Sequence, residues 1–481
     1  MNKILILISL GIALAYTQQY KIYDMNGKNC GTYNGILNKQ SLTRFVKEYH
    51  GSVLVKKGFS SKIESLRSTD FGQLNVAQIN QVQKNFNLNK DSLSEQKWIE
   101  VEKNEFVKIC LDRKSIVWET SLNAAIFNDS CLIFQAPTLI GVDTIKIHFP
   151  NVSSTHNINL AIGMKHLDFK NEKVLIGFNR YSKEQLSETS INEDPERFFT
   201  LTGTYLVDKY PVTNCEFTQL MWDSIPATTL YGNESFRKDF YEDWLNRKRI
   251  STHNENCITQ DTAANTVSLF QSMKYANTRS IREGLKPYYI FTLAENEDRE
   301  HIISSKQHIV CYRDFTIHEY NYVLVTADST SNGYRLPYYN EWMIFARGGD
   351  IRNQAPWGDS SGSFEKTAKY ARFKTKNFSL ETEPVGQLTP NGYGLYDMFG
   401  LVQEHVLLEY SMFVGNFGFS SCVKGGSYNV SKDEKGFGET GFPYWKWIDY
   451  GYYEPGHPGY GAGFRLIRNI GNNAKWENRI E

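Results

Sequence analysis

The chain has 481 residues, with 53 lysine and arginine residues balanced by 53 aspartate and glutamate residues. This balance argues against nucleic acid as a partner and gives no basic surplus for an anionic membrane. Aromatic residues make up 14 % of the chain, which excludes extended disorder and favours a globular protein. The length allows two or three domains.

Residues 1–15 have the pattern of a secretory signal peptide. Lys3 supplies the charge, an apolar run extends from Ile4 to Leu14, and Ala13-Leu14-Ala15 provides a small-x-small cleavage site. The apolar run is too short to cross a bilayer, and no later stretch approaches the required length. We therefore expect a protein of the secretory lumen or the extracellular space, without membrane insertion.

Seven cysteines suit that compartment, and the odd number leaves at least one unpaired if all disulfides are internal. Cys110 and Cys131 flank predicted neighbouring strands, so we expect them to pair. A second disulfide is expected between Cys257 and Cys311. Five N-x-S/T sequons predict glycosylation on surface loops. Their asparagines are Asn128, Asn151, Asn233, Asn377 and Asn429.

Residues 16–158 show strand patterns but no motif that identifies a family. Ile99 and Val101 alternate with Glu100 and Glu102, and residues 144–149 alternate in the same way. The pattern predicts a small β-rich, sandwich-like accessory domain. Binding is the commonest use of such a domain, but that is an analogy from fold class, so its role stays open.

Residues 159–470 contain the recognisable motifs. The most informative segment is 333–349, in which an apolar stretch leads into Pro337 and a helical pattern ends at Gly348 and Gly349. Upstream, Thr213 and Glu216 predict a capping box at the start of another helix.

Seven motifs follow one another in the order found in the sulfatase-modifying-factor family, whose best-known members are the formylglycine-generating enzymes. They read P-V-T-N at 211–214, V-S…Y-A-N at 267–277, R-L-P-x-x-x-E-W at 335–342, P-W-G-D at 356–359, P-N-G-Y-G-L-Y-D-M at 390–398, K-G-G-S-Y at 424–428 and G-F-R at 463–465. The chain resembles this family, and the motif residues are expected to be structural. These are Arg335, Pro337, Glu341, Trp342, Trp357, Asn391, Gly392, Asp397, Gly425, Gly426, Ser427, Gly463, Phe464 and Arg465.

The resemblance implies an α+β fold, irregular and related to the C-type lectin fold, preceded by the β-rich domain. An insertion is expected at about residues 290–330, and residues 471–481 form a tail.

The resemblance also implies a copper site in catalytic members. There, two cysteines after G-G-S-W/Y bind Cu(I), which activates O2 to oxidise a substrate cysteine to formylglycine. Thiolates are the soft ligands that Cu(I) selects. The corresponding positions here are Val430 and Lys435, and no cysteine follows Cys422. We therefore predict no catalytic residues and lean towards a protein that is not an enzyme.

The family's calcium-binding segments are also altered. The segment G-N-V-W-E-W reads G-L-V-Q-E-H at 400–405, so Leu401 replaces an oxygen ligand. The second segment, A-N-Y in the family, reads A-K-Y at 368–370, so Lys369 replaces the asparagine. Glu404 is the remaining candidate metal ligand, and a buried carboxylate paired with an arginine is the alternative. No cofactor is predicted; copper and calcium are expected only if the chain is an oxidase.

Three hypotheses remain open. The first is a secreted, non-catalytic binding module for a protein or glycan ligand; the second is a formylglycine-generating oxidase; the third is an extracellular structural or assembly component. For the first, the aromatic run 442–453 is the candidate surface, and a role in the core is its alternative. The candidate ligand-binding residues are Tyr444, Trp445, Trp447, Tyr450 and Tyr452. The oligomeric state is left open.

Overall fold

The computed structural model describes slightly less than half of the chain, as a set of separate ranges. These are residues 18–23, 29–35, 54–57, 64–66, 82–89, 93, 97–112, 116–122, 124–127, 130–149, 155–176, 197–221, 262–265, 267, 269–294, 309–311, 322–349, 356–357, 364–372, 383–407, 422–426 and 462–471. Strands predominate over helices in these ranges.

Twelve strands precede the segment that carries the family motifs. They are β1 (Gln18–Tyr23), β2 (Asn29–Gly35), β3 (Leu54–Lys57), β4 (Glu64–Leu66), β5 (Lys84–Leu88), β6 (Lys97–Val101), β7 (Phe106–Leu111), β8 (Val117–Thr120), β9 (Ala124–Phe127), β10 (Cys131–Gln135), β11 (Gly141–His148) and β12 (Thr155–Ile162). The first three form a sheet in the order β2-β1-β3.

The other nine strands form two sheets that share one core. The four-stranded sheet has the order β5-β7-β10-β9, and the five-stranded sheet has the order β4-β8-β11-β12-β6. Val107 and Leu132 of the first sheet pack in the same buried cluster as Ile145 and Leu160 of the second. Alternation along β11 explains this, because Ile145 and Ile147 face inward while Lys146 is exposed.

The expected disulfide between Cys110 and Cys131 is confirmed. The two cysteines lie opposite each other in the antiparallel pair of β7 and β10. Cys215 is also held in a disulfide. Cys311 lies in a strand, but Cys257 is outside the described residues, so the second expected pairing stays a prediction.

The chain passes from these sheets into the next region without an intervening linker. Strand β12 spans the predicted domain boundary between residues 158 and 159. A turn at Gly163, with φ of 64°, then leads directly into β13 (Met164–Ile176). The N–H group of Gly163 donates to the carbonyl of Val101 in β6 at 2.8 Å.

The remaining strands form four small sheets. They are β14 (Arg197–Asp208), β15 (Tyr289–Ala294), β16 (Ile309–Cys311), β17 (Tyr322–Ala327), β18 (Ala371–Arg372), β19 (Phe399–Gly400), β20 (Gln403–Val406), β21 (Cys422–Lys424), β22 (Ala462–Gly463) and β23 (Ile467–Asn469). Their orders are β13-β14-β23, β15-β17-β16, β18-β19 and β21-β20-β22. The sheet of β15, β16 and β17 lies at about residues 290–330, where an insertion is expected, and the insertion stays a prediction.

Four helices occur in the described residues: α1 (Asn214–Met221), α2 (Leu269–Arg282), α3 (Tyr339–Arg347) and α4 (Phe364–Thr367). The predicted capping box starts α1, because the N–H of Glu216 donates to Thr213 Oγ1 and the N–H of Thr213 donates to Glu216 Oε2, both at 3.3 Å. The predicted end of α3 is also present. Gly348 takes the left-handed conformation, with φ of 73°, that favours glycine after a helix.

Two buried clusters organise this part of the chain. One contains Phe217 of α1, Met273 of α2 and Phe464, and it extends to Ile140 and Ala161 from the preceding sheets. The other surrounds α3, in which every residue is buried, and includes Trp342, Trp357 and Phe399. The first cluster therefore joins the N-terminal sheets to the motif-bearing region through one apolar core.

None of the helices in the described ranges has the length and apolar character needed to cross a membrane.

Candidate functional site

Arg335 and Glu341 of the R-L-P-x-x-x-E-W motif form a buried ion pair. Arg335 Nη1 donates to Glu341 Oε2 at 2.7 Å, and Nη2 donates to Oε1 at 2.8 Å. Glu341 also accepts the N–H of Tyr338 at 2.8 Å, while the N–H of Arg335 bonds to the carbonyl of Ile467. The ion pair thus fixes the start of α3, just after Pro337, against β23.

Glu404 lies at the centre of the motif-bearing region and is fully buried. Its carboxylate accepts hydrogen bonds from Arg465 Nε at 2.8 Å and Arg465 Nη2 at 2.6 Å, and from Trp342 Nε1 at 2.7 Å. The same guanidinium donates to the carbonyls of Asp208 and Tyr396. Three of the seven motifs therefore meet the G-L-V-Q-E-H segment at one charged pair, which is the arginine-paired alternative considered for Glu404.

The donor set around Glu404 does not fit calcium. Both carboxylate oxygens are engaged by Arg465, whereas Ca²⁺ needs six to eight oxygen ligands. Leu401, at the position where the family has asparagine, is an apolar side chain that is only 2 % exposed. Lys369, in the A-K-Y segment, is exposed. Within the described ranges, no group of three or more His, Cys, Asp or Glu side chains is placed to hold a metal ion.

The P-N-G-Y-G-L-Y-D-M motif holds the end of α3. Asn391 Nδ2 donates to the carbonyl of Phe345 at 2.7 Å and to that of Ala346 at 3.2 Å. A Cβ atom on Gly392 would lie 2.1 Å from the carbonyl oxygen of Gly348, so the two backbones touch. Asp397 Oδ2 accepts the N–H of Gly386 at 2.6 Å, and burial raises the pKa of its carboxyl group.

The K-G-G segment packs on another face of α3. Lys424 is buried, and its Nζ donates to the hydroxyl of Tyr339 at 2.8 Å. Gly425 has φ of 93°, and a Cβ atom there would lie 2.6 Å from the carbonyl oxygen of Met398. Gly426 has φ of 70°. The absence of side chains at this double glycine therefore lets the chain pass close to Trp342.

The last aromatic motif residues also belong to the core. Trp357 stacks edge to face on Phe399, with ring centroids 4.8 Å apart. Phe464 contacts Tyr275 in the same way at 5.2 Å. A Cβ atom on Gly463 would lie 2.5 Å from the carbonyl oxygen of Ala264. These residues are therefore part of the packed scaffold.

His405 is a buried residue for which the sequence analysis assigned no role. Its Nε2 lies 2.7 Å from the carbonyl oxygen of Val267, to which the protonated nitrogen donates. Nδ1 makes no hydrogen bond within the described part of the chain. Burial lowers the pKa of His405 to about 4, so the ring is neutral at physiological pH. The only sequence signal was its position directly after Glu404.

A second buried ion pair joins the N-terminal sheets to α1. Lys103 Nζ lies 2.8 Å from Glu216 Oε1, and the two side chains are 5 % and 3 % exposed. Burial tends to raise the pKa of Glu216, but Lys103 and the Thr213 N–H outweigh it, so the pKa lies below its ordinary value. No motif pointed to Lys103, because the two residues are 113 positions apart.

More exposed contacts surround this pair. Glu100 bonds to Lys165, and Glu102 bonds to Lys209. The N–H of His166 donates to Glu100 Oε1 at 2.9 Å. Together these contacts run along the whole junction between β6 and the region that follows β12.

Several predicted site residues lie outside the described residues. These are Ser427, Val430, Lys435, Cys257, the five sequon asparagines and the aromatic candidates Tyr444, Trp445, Trp447, Tyr450 and Tyr452. The predictions for glycosylation and for the aromatic surface therefore stay predictions.

Comparison with protein families gives one matching family. The model of the Sulfatase-modifying factor enzyme 1-like domain matches residues 171–470. This range begins inside β13 and ends just beyond β23.

Three curated relatives illustrate the similarity. The chain is 30 % identical over 150 residues to chaperone protein LppX of Paenibacillus barcinonensis, covering 29 % of this chain and 49 % of the relative. It is 27 % identical over 219 residues to the formylglycine-generating enzyme of Mus musculus, covering 44 % and 50 %. For the formylglycine-generating enzyme of Mycobacterium tuberculosis the identity is 38 % over 85 residues, covering 16 % and 28 %. The chain thus spans half or less of these relatives.

Among solved structures, Treponema denticola variable protein 1 aligns with a TM-score of 0.40 and 18 % identity, covering 68 % of this chain and 99 % of that chain. CarF aligns with a TM-score of 0.36 and 19 % identity, covering 64 % and 98 %.

The family match covers well over half of the chain, and the motif residues Trp342, Trp357 and Phe464 are buried in the clusters of that region. The resemblance is therefore confirmed: the chain belongs to the family of Sulfatase-modifying factor enzyme 1-like domains.

Proposed function

We propose that this protein is a secreted, non-catalytic member of its family that acts as a binding module for a protein or glycan ligand. One observation carries the proposal: Val430 and Lys435 occupy the positions at which the copper-binding cysteines are expected, and no cysteine follows Cys422. Neither an isopropyl group nor an ammonium group replaces a thiolate as a Cu(I) ligand.

The cysteines earlier in the chain give this proposal further support. Cys110, Cys131 and Cys215 are held in disulfides, so none of these three offers a thiolate. A copper site would therefore need two sulfur atoms from Cys30, Cys257, Cys311 and Cys422, one of which must pair with Cys215 if that disulfide is internal.

The centre of the scaffold points the same way. Glu404, the remaining candidate ligand for a metal, is fully buried and paired with Arg465 and Trp342. The guanidinium of Arg465 therefore compensates the negative charge of Glu404, which a metal ion would otherwise compensate. In this proposal the family scaffold is retained for its structure and not for metal binding.

The proposed ligand surface is the aromatic run at 442–453. Tyrosine and tryptophan combine a large apolar face with a polar edge, which suits the faces of sugars and peptides. Alanine at Trp445 and Trp447 should abolish ligand binding while the unfolding temperature stays unchanged. A large drop in that temperature would instead assign the rings to the core.

The second candidate function is that of a formylglycine-generating oxidase, which the similarity to the enzymes of Mus musculus and Mycobacterium tuberculosis favours. One experiment separates the two. The full-length protein is titrated with Cu(I) under a competing chelator and then incubated with O2 and a cysteine-containing sulfatase peptide, with the Mus musculus enzyme as the positive control.

We expect no tight Cu(I) binding and no peptide aldehyde by mass spectrometry. Aldehyde formed in proportion to bound copper would overturn the proposal. Secretion is tested separately, by expressing the chain in a eukaryotic secretory host. The N-terminus of the secreted product should follow Ala15, and glycosidase treatment should reduce its mass.

A further inference from the structure

A cleft of about 490 Å³ opens on the N-terminal sheets, far along the chain from every family motif. It lies where β5 and β7 end together, since these parallel strands pair Asn87 with Cys110 and Leu88 with Leu111. Lys97, at the start of β6, contributes a further wall. Ligand sites commonly have volumes of about 300–1,000 Å³, so the cleft has the size of a site for a small molecule.

The floor of the cleft is apolar and its rim is polar. Leu111 is buried in the core between the two sheets, and Leu88 packs against that core. Asn87, Asn89 and Asp112 line the cleft from exposed positions, and Lys97 is half-buried. A ligand would therefore meet an apolar surface below and hydrogen-bonding groups around its edge.

Among the described residues that line the cleft, the charges balance, and this guides the choice of ligand. Lys97 and Asp112 contribute one positive and one negative group, so these residues favour neither an anion nor a cation. The amides of Asn87 and Asn89 both donate and accept hydrogen bonds, the lysine only donates and the carboxylate only accepts. Hydroxyl groups are the ligand groups that match such a mixture, because each one donates and accepts.

We propose that this cleft binds a neutral saccharide of one or two sugar units. The C–H face of a sugar ring would lie on the exposed part of Leu88, and its hydroxyl groups would bond to Lys97, Asp112 and the asparagine amides. This inference rests on the proposed function, because it assigns a glycan site to the binding module.

The walls of the cleft are held in place before any ligand arrives. The disulfide between Cys110 and Cys131 joins β7 to β10 directly beside Leu111. The pairing of β5 with β7 then fixes Asn87 relative to Cys110. Rigid walls reduce the conformational entropy that binding costs, which matters for a shallow site with few contacts.

The test uses the full-length protein on an array of neutral and acidic glycans, followed by calorimetry with the best neutral mono- or disaccharide. We expect binding of neutral terminal sugars, and at least a tenfold increase in Kd for both Lys97→Ala and Asp112→Ala. Lys146→Ala is the matched control, because Lys146 is exposed on β11 and outside the cleft. That variant should keep the wild-type Kd.

Unfolding temperatures of all three variants show whether they fold. If either cleft variant is destabilised, Asn87→Ala replaces it, since that side chain is exposed. Unchanged saccharide affinity in the folded cleft variants, or a preference for acidic glycans, overturns the inference and leaves the proposed function standing. Binding of a protein partner without any saccharide also overturns the inference and leaves the proposed function standing. Copper-dependent aldehyde formation would overturn the proposed function, and the saccharide affinities of the cleft variants would then decide the inference.

Discussion

Glu404 and Glu216 are both fully buried carboxylates, and each has a basic partner within 3 Å. Glu404 takes its partner, Arg465, from within the segment that matches the family model, and Trp342 of the same segment completes the site. Glu216 also belongs to that segment, but its partner Lys103 lies outside it, in the turn that joins β6 to β7. The buried charge of Glu404 is therefore compensated within the family segment. The buried charge of Glu216 is compensated by a residue of the preceding region.

This difference shows that the limits of a family match are not the limits of a folding unit. The match begins at residue 171, in the middle of β13, and omits Met164 at the start of that strand. It also omits Ile140 and Ala161, which belong to the same buried cluster as Phe217 and Phe464. We expect the described N-terminal sheets and the family segment to unfold together.

The largest effect should come from breaking the central pair. Arg465→Met removes the guanidinium, so the Trp342 N–H is the one donor left to the buried Glu404 carboxylate within the described part of the chain. An uncompensated buried charge costs about 3–5 kcal/mol, and the loss of bonds to two carbonyls places this variant at the upper end. Urea unfolding of the variant measures the change.

A double variant checks the cause of that loss. Arg465→Met combined with Glu404→Leu removes both charges, so it should recover part of the lost stability. If the double variant is less stable than Arg465→Met alone, the buried charge is not the cause.

The second prediction concerns the ion pair between Lys103 and Glu216. Lys103→Met leaves the buried Glu216 carboxylate with Thr213 as its remaining hydrogen-bond partner among the described residues. The variant should lower the free energy of unfolding by about 3 kcal/mol. Hydrogen exchange should show β6 and α1 losing protection by the same amount. Loss confined to β6 would mean that the two regions unfold separately.

The third prediction concerns pH. The pKa of His405 falls from 6.5 to about 4 on folding, so between these values the unfolded chain binds the proton more readily. The contribution of His405 to stability is complete above pH 6.5 and declines as the pH falls towards 4. The full decline amounts to about 3 kcal/mol, of which roughly 2 kcal/mol is expected by pH 5.

Asp208 has the opposite effect on the pH dependence of stability. Burial raises its pKa to about 6 despite its contact with Arg279, so its protonation favours the folded state as the pH falls. The effect of His405 is therefore isolated by comparing the wild type with His405→Gln at each pH. The difference in unfolding free energy should shrink as the pH falls from 7 to 5, since the glutamine cannot be protonated. Parallel curves would show that His405 does not titrate in this way.

The smallest effect is expected at the rim of the junction. Lys165 and Glu100 are 24 % and 33 % exposed, so water screens their charges. Lys165→Met should cost about 1 kcal/mol or less, measured under the same conditions as Lys103→Met. Equal losses from the two variants would contradict the distinction between the buried and the exposed pair.

Some features were predictable because their signals are local. Pro337, the helical pattern after it and the two glycines predicted α3 and its end, and Thr213 with Glu216 predicted the start of α1. The alternation along β11 predicted which side chains face the core. In each case the residues that determine the element lie within a few positions of one another.

Other features depend on residues that are distant in sequence. Nothing near Lys103 indicates that its partner lies on α1, and nothing near His405 indicates the carbonyl of Val267. The cleft beside Cys110 is formed by strand ends, so it has no motif. The expected aromatic surface at 442–453 lies outside the described residues.

The contact between Gly348 and Gly392 restricts how this scaffold can be diversified. A side chain at residue 392 would collide with the backbone at the end of α3, at a distance of 2.1 Å for Cβ. Any mutant library for new binding specificities must therefore leave this pair invariant and place its variable codons elsewhere. Clones that change either glycine should disappear during selection for expression, before any selection for binding.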